Sequence, residues 1–304
     1  FSLSAISQEL SADKLKHNTI FYISDFNEMS ENRIHLESVI SKNIRGYPFS
    51  LDVELDNYTN YNSQQEIFNL SQKDVQLIDI GPSLSFERFG IDFTTALSIN
   101  YFSDVNKKID IFPEVLATKE LVKNILLISV GIDNPMYRNT YKSLSDENPF
   151  IHTLGTNQKV IANDIVLDLR TTEAKQFFFN IRNVLGNDDV WDANITYGFI
   201  ENLPYFVGFD TLYYNRFLVN YIDVEQWHIN TNYDRKINNI MSVNINADFY
   251  QWNEDVYYKP NFTCELSAPI NLRNKIKVKP TLSYVGKRFY DVDKELSAQF
   301  HANL

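Results

Sequence analysis

Alternation of apolar and polar residues starts again and again along this chain. From 241 to 249, Met241, Val243, Ile245, Ala247 and Phe249 alternate with Ser242, Asn244, Asn246 and Asp248. From 91 to 101, Ile91, Phe93, Thr95, Leu97, Ile99 and Tyr101 alternate with Asp92, Thr94, Ala96, Ser98 and Asn100. Successive side chains of a strand point to opposite faces, so each segment predicts a ribbon with one greasy and one wet face. The pattern returns at Leu51, Val53, Leu55 against Asp52, Glu54, Asp56, and at Trp227, Ile229, Thr231, Tyr233 against His228, Asn230, Asn232, Asp234. Roughly fifteen or sixteen such segments of about 9–11 residues recur, the length that crosses a bilayer at a tilt.

Strands are expected near 17–24, 34–42, 48–57, 75–87, 90–102, 108–119, 123–133, 163–171, 175–184, 190–200, 213–222, 226–235, 240–252, 259–268, 275–286 and 295–304. Short polar connections, such as Asp104 to Lys108, make neighbours antiparallel hairpins. A meander of that many strands closes into a barrel, which removes exposed edges. The predicted fold class is therefore all-β: an antiparallel up-and-down transmembrane β-barrel covering 1–304, with long loops near 58–74, 134–162 and 201–212. Pro82, Pro113 and Pro280 cannot donate to a ladder, so bulges or strand ends are expected there. The third long loop falls on the opposite side from the other two, which implies one miscounted strand.

Composition agrees with that picture. Aromatic residues make up 14% of the chain, with Tyr101, Phe102, Tyr250 and Trp252 near segment ends, where an interfacial girdle would lie. No apolar run is long enough for a membrane-crossing helix. The net charge of −11 speaks against nucleic acid as a partner. A single cysteine, Cys264, rules out a disulfide framework. Alternation at Phe1, Leu3 and Ala5, and up to Leu304, suggests a barrel incomplete at both ends. The competing architecture is a soluble β-sandwich with the same apolar faces between two sheets.

Candidate chemistry is sparse. The chain carries no phosphate-binding loop, nucleophile elbow or dinucleotide fingerprint. The five histidines lack ligand spacing, so no metal and no cofactor are expected. A barrel hydrolase would need a Ser–His pair, and His228 and His301 have no evident serine partner. The chain is read as no enzyme. The distinctive local sequence is the loop 134–150, with Tyr137, Tyr141 and Phe150 as aromatic anchors and Arg138 as a charged contact, joined by Asn139, Glu147 and Asn148. Aromatics and Arg dominate interface energy because they bury much area with few rotamers. The other role open to this loop is a lid or constriction at the barrel mouth.

The run Arg138 to Phe150 resembles a segment of the TonB-dependent-receptor-like outer-membrane barrels of Bacteroidetes. Glu201-Asn202-Leu203-Pro204-Tyr205-Phe206 with Asn215-Arg216-Phe217, Tyr257 to Phe262, and Tyr284 to Tyr290 resemble the same family. The resemblance implies a large barrel in the bacterial outer membrane that binds or passes a substrate, in contact with outer-membrane lipid. No plug domain is visible, so TonB is implied as a partner only if a plug lies upstream. The alternative is a plugless barrel serving as a structural or accessory subunit of an export, assembly or surface-lipoprotein complex, with envelope proteins or lipoproteins as partners.

Overall fold

The computed structural model describes residues 2–7, 14–26, 31–60, 75–104, 108–151, 169–186, 189–208, 217–272, 275–291 and 294–304. One antiparallel meander dominates it. Its first strands are β1 (Ser2–Ser7), β2 (Lys16–Phe26), β3 (Glu31–Ile44), β4 (Tyr47–Asn60), β5 (Val75–Arg88), β6 (Ile91–Phe102), β7 (Lys108–Val122) and β8 (Leu126–Asp133). After the short β9 (Met136–Arg138) and the seven-residue helix α1 (Tyr141–Glu147) come β10 (Thr171–Val184), β11 (Asp189–Gly208), β12 (Phe217–Lys236), β13 (Ser242–Trp252) and β14 (Phe262–Ser267). The hairpins β15 (Ile270–Leu272)–β16 (Ile276–Val278) and β18 (Arg288–Asp291)–β19 (Lys294–Leu296) stand outside the sheet, which ends with β17 (Thr281–Val285) and β20 (Gln299–Asn303).

The sheet order follows the chain, β1 to β8, then β10 to β14, β17 and β20, with β9 attached to β10. Among the described residues β1 and β20 are paired on one side only. The chain is thus a long, open antiparallel sheet with no second sheet packed on its apolar face among the described residues. That disposes of the sandwich.

The two faces separate as the alternation requires. Ile229 faces Phe249, and Phe249 faces Phe262, all on one face. These three are 38–41% exposed, and Phe177, Ile111 and Phe300 on the same face are more so. The opposite face is tied into polar pairs: His228 Nε2 with Asp248 Oδ1 at 2.9 Å, Asn230 Nδ2 donating to Asp248, Asn244 donating to Asp234. Ser85 with Thr94 and Thr118 with Ser129 repeat the arrangement farther along. A polar group without a partner is costly in a low-dielectric setting, and cross-strand pairing satisfies these.

Register depends on a few local devices. Arg45 and Gly46 both take positive φ (53° and 89°), the two-residue turn whose twist matches a hairpin. At Gly131 the strands come so close that a Cβ would lie 2.2 Å from the Val115 carbonyl and 2.6 Å from Phe178 Cζ. Phe178 sits opposite Gly131 and covers the backbone that a side chain would otherwise shield.

Several expected boundaries are corrected. The strands expected at 213–222 and 226–235 are one strand, β12. Residues 201–208, expected in a loop, continue β11. β11 carries an extra residue between Ile200 and Leu203, which shifts its alternation, and in β12 Asp223 and Glu225 interrupt the apolar parity that Trp227 and Ile229 follow. The expected strand 163–171 lies mostly outside the described residues, and Thr171 opens β10 as a continuation into 175–184. With that strand removed, the connections after β4, β8 and β11 all open on the same side of the sheet, resolving the parity conflict. Residues 61–74, 152–168 and 209–216 of the expected loops lie outside the described residues. Pro82 and Pro113 lie inside continuous strands without a register shift. The β5–β6 ladder is interrupted at Gly81 and Pro82 while β4 pairs through them, so the missing donor costs one side only. Pro280 does precede a strand, β17.

Candidate functional site

Alternation on β3, β4 and β5 puts carboxylates on the wet face, and the register puts them opposite each other. Glu37 faces Glu54, and Glu54 faces Asp79. The row continues through Asn100 on β6 to Asp110 on β7. Adjacent strands lie about 4.8 Å apart, and like charges directly opposite are destabilising. Only one neighbouring row compensates its acid fully. Arg33 grips Asp56 with two bonds, Nε to Oδ1 at 2.6 Å and Nη2 to Oδ2 at 2.7 Å. His35 Nδ1 also lies 2.9 Å from Asp56 Oδ1, under the stacked ring of Tyr22.

The segment after β8 lies over this face. Tyr58, buried at the end of β4, has the guanidinium groups of Arg33 and Arg138 at 5.5 and 5.8 Å from its ring. A cleft of about 570 Å³ remains between strands and segment. Glu54, Asp79 and Glu114 line it from the sheet, Tyr137 and Asn139 from the segment.

A second charged group closes the upper end. Where β8 ends, β7 and β10 lose their shared neighbour. Lys108 of β7 crosses the gap to Glu173 at 2.8 Å and Glu201 at 3.2 Å. Lys175 reaches Asp110 at 3.4 Å. Glu173 is almost fully buried, so these cations neutralise a charge that has lost its water.

The residues singled out in the loop part into two groups. Arg138 and Asn139 are buried and hold the segment down: Arg138 Nη1 donates to the Leu169 carbonyl, Asn139 Nδ2 to the Arg170 carbonyl and to Thr172. Glu147 pairs with Lys259, and Asn148 ends the helix, its N–H donating to Leu144. Tyr137 and Phe150 are 59% and 52% exposed. Burial of part of its ring, with the charge of Asp133, raises the Tyr137 phenol above its ordinary pKa. Tyr141 opens α1, and its side chain lies outside the described residues.

The sequence showed Asp52, Glu54 and Asp56 alternating on one face but not the partners of Glu54 and Asp56, which lie 17 to 25 positions away and depend on register. His35, Glu54 and Asp56 offer ligand atoms within 4.8 Å of one another. They do not fit a metal ion, because Arg33 occupies both oxygens of Asp56.

An all-β antiparallel meander with one uncovered apolar face and one hydrogen-bonded polar face is the architecture of a β-barrel wall. The solved structures it resembles are outer-membrane receptor barrels of the TonB-dependent class. A siderophore receptor, PirA, from Pseudomonas aeruginosa matches with TM-score 0.58 at 9% identity, covering 99% of this chain and 54% of that one. The FrpB iron transporter from Neisseria meningitidis matches at 0.52 with 8% identity over 94% of this chain and 50% of that one. The copper transporter OprC matches at 0.53 with 9% identity over 95% and 52%. The chain thus spans about half the length of these proteins, and the likeness is one of fold. No protein-family model and no curated protein sequence matches it.

Proposed function

We propose that this chain forms part of an outer-membrane β-barrel that binds a substrate, or passes it across the membrane, without chemistry of its own. The observation that carries the reading is the uncovered apolar face. Ile111, Phe177, Trp227, Phe249, Leu282 and Phe300, on strands from β7 to β20, all remain exposed on it. At about 25 cal/mol per Å² of apolar surface, leaving such a face in water forgoes the main driving force of folding, whereas lipid satisfies it.

Sidedness follows from the connections. Turns such as Arg45-Gly46 lie at one end, and the long connections after β4, β8 and β11 at the other. In outer-membrane barrels the short turns are periplasmic and the longer loops extracellular. The cleft beneath Tyr137 then opens toward the outside, with Tyr137 exposed on its lining and Phe150 exposed farther along the same segment. β11 and β12, at 20 residues each, are longer than the about 9–11 residues a tilted span needs, so both project beyond the bilayer.

The test is expression of the chain with a secretion signal, followed by membrane fractionation. Heat-modifiable migration in gels and resistance to alkaline extraction from the outer membrane are expected. A chain recovered in the soluble fraction, with the same fold, would refute the reading.

A further inference from the structure

We propose that the cleft on the wet face of β3–β7 takes an organic polycation, a ligand with two or more ammonium or guanidinium groups. The inference rests on the receptor reading above and names the class of its substrate. The row Glu37–Glu54–Asp79 is the first ground. Three carboxylates face one another across β3, β4 and β5, and both arginines lining the cleft are engaged elsewhere: Arg33 on Asp56, and Arg138 on the Leu169 carbonyl with Asp104 at 3.8 Å. Glu54 and Asp79 of this row line the cleft, and Glu114 adds an acid from β7 on the same lining. Like charges directly opposite one another cost stability; His35 comes only within 3.8 Å of Glu37 and 3.7 Å of Glu54, against 2.9 Å for Asp56, so the row is offset less than its neighbour.

The second ground is independent of charge. Asn134 and Thr171, 3% and 1% exposed, also line the cleft. Asn134 Oδ1 and Thr171 Oγ1 have no hydrogen-bond partner among the described residues. Buried oxygens without partners are rare. The Asn134 amide oxygen only accepts, so an N–H-bearing ligand satisfies it and an anion does not, while the Thr171 hydroxyl can accept from the same ligand.

The third ground is the ring at the mouth. Tyr137 presents an aromatic face beside the acids, a surface that attracts ammonium groups when desolvated. The cleft's volume of about 570 Å³ admits a small extended molecule, well beyond one hydrated ion. A bare divalent cation would need several carboxylate oxygens on one centre, whereas the row spreads its acids along a line, each roughly 4.8 Å from the next strand. A chain of amines matches such a line.

Isothermal titration of the full folded chain in detergent, with spermidine as the probe at matched ionic strength, tests this. Spermidine should bind the wild-type protein, and the paired variant E54Q/D79N should bind at least tenfold more weakly. Both substitutions keep the side-chain shape and remove repulsion, so the variant should stay heat-modifiable. E295Q, on the outlying β18–β19 hairpin, should bind spermidine as wild type does. Absence of spermidine binding by a heat-modifiable wild-type protein would overturn this inference and leave the barrel reading intact. Equal spermidine binding by E54Q/D79N would also overturn it, as would Mg²⁺ binding that depends on Glu54 and Asp79 while spermidine fails. If the chain is not heat-modifiable and not membrane-inserted, the barrel reading fails first, and this one with it.

Discussion

Asp223 on β12 stands against the extra residue of β11, and its Oδ1 accepts the Asn202 N–H at 2.8 Å. Asn202 takes φ 56°, a left-handed conformation that Asn tolerates better than most residues. The carboxylate thus fixes the bulge at which the alternation of β11 changes phase.

D223A should therefore loosen the upper halves of β11 and β12 and cost about 1.5–3 kcal/mol, the worth of a hydrogen bond to a charged group. N202G should keep the bulge, and N202V should lose it. Urea unfolding followed by heat-modifiability measures all three; an unchanged midpoint for D223A would show that the bulge is held by something else.

Gly131 is a packing necessity. G131A puts a methyl group 2.2 Å from a backbone carbonyl that cannot step aside, and overpacking of that kind costs about 3 kcal/mol. Trimming the neighbouring ring, as in G131A/F178L, should restore little, because the closer clash is with Val115's backbone. Full recovery in the double variant would mean the ring was the obstacle.

Lys108 neutralises Glu173 across the gap left by β8. Removing one partner of a buried pair costs roughly 3–5 kcal/mol, and K108M should cost less, about 2 kcal/mol, because Lys175 lies 3.7 Å from the same carboxylate. K108M/E173Q should recover most of the loss. A double variant no more stable than K108M would mean that the ion pair is not the source of the effect.

In the loop, Y137A and F150A should leave folding within about 0.5 kcal/mol of wild type, since both rings are largely exposed. R138A should be destabilising, because a buried guanidinium holds the Leu169 carbonyl and faces Tyr58. Thermal midpoints in detergent separate the two cases, and a stable R138A would reassign Arg138 to contact rather than support.

Period-two patterning was enough to read the fold class, because one uncovered face and one hydrated face impose alternation on every spanning strand. Ile245 and Phe249 share a face, opposite Asn244 and Asp248, as their parity requires. Parity fails where a bulge adds a residue, so β11 read too short, and acids at Asp223 and Glu225 on the apolar parity made β12 read as two strands. The candidate site was half legible. Asp52, Glu54 and Asp56 were visible as a polar edge, but the opposition of Glu54 to both Glu37 and Asp79 depends on hairpin register, which turns such as Arg45-Gly46 set. The intramolecular bonds of Arg138 and Asn139 were not legible for a different reason: Arg beside aromatics suits an interface and a buried anchor equally, and the carbonyls of Leu169 and Arg170 that they hold lie more than 30 positions away in sequence.

The central claim is that β12 crosses a bilayer with alternate residues in lipid and in a wet interior. Cys264 is the chain's only cysteine, so C264S gives a clean background for single spin labels at each position from 227 to 234. In reconstituted bilayers, labels at 227, 229, 231 and 233 should collide with oxygen, which partitions into lipid. Labels at 228, 230, 232 and 234 should collide with a water-soluble nickel chelate. Accessibility to the chelate at every position, with no period of two, would contradict the account.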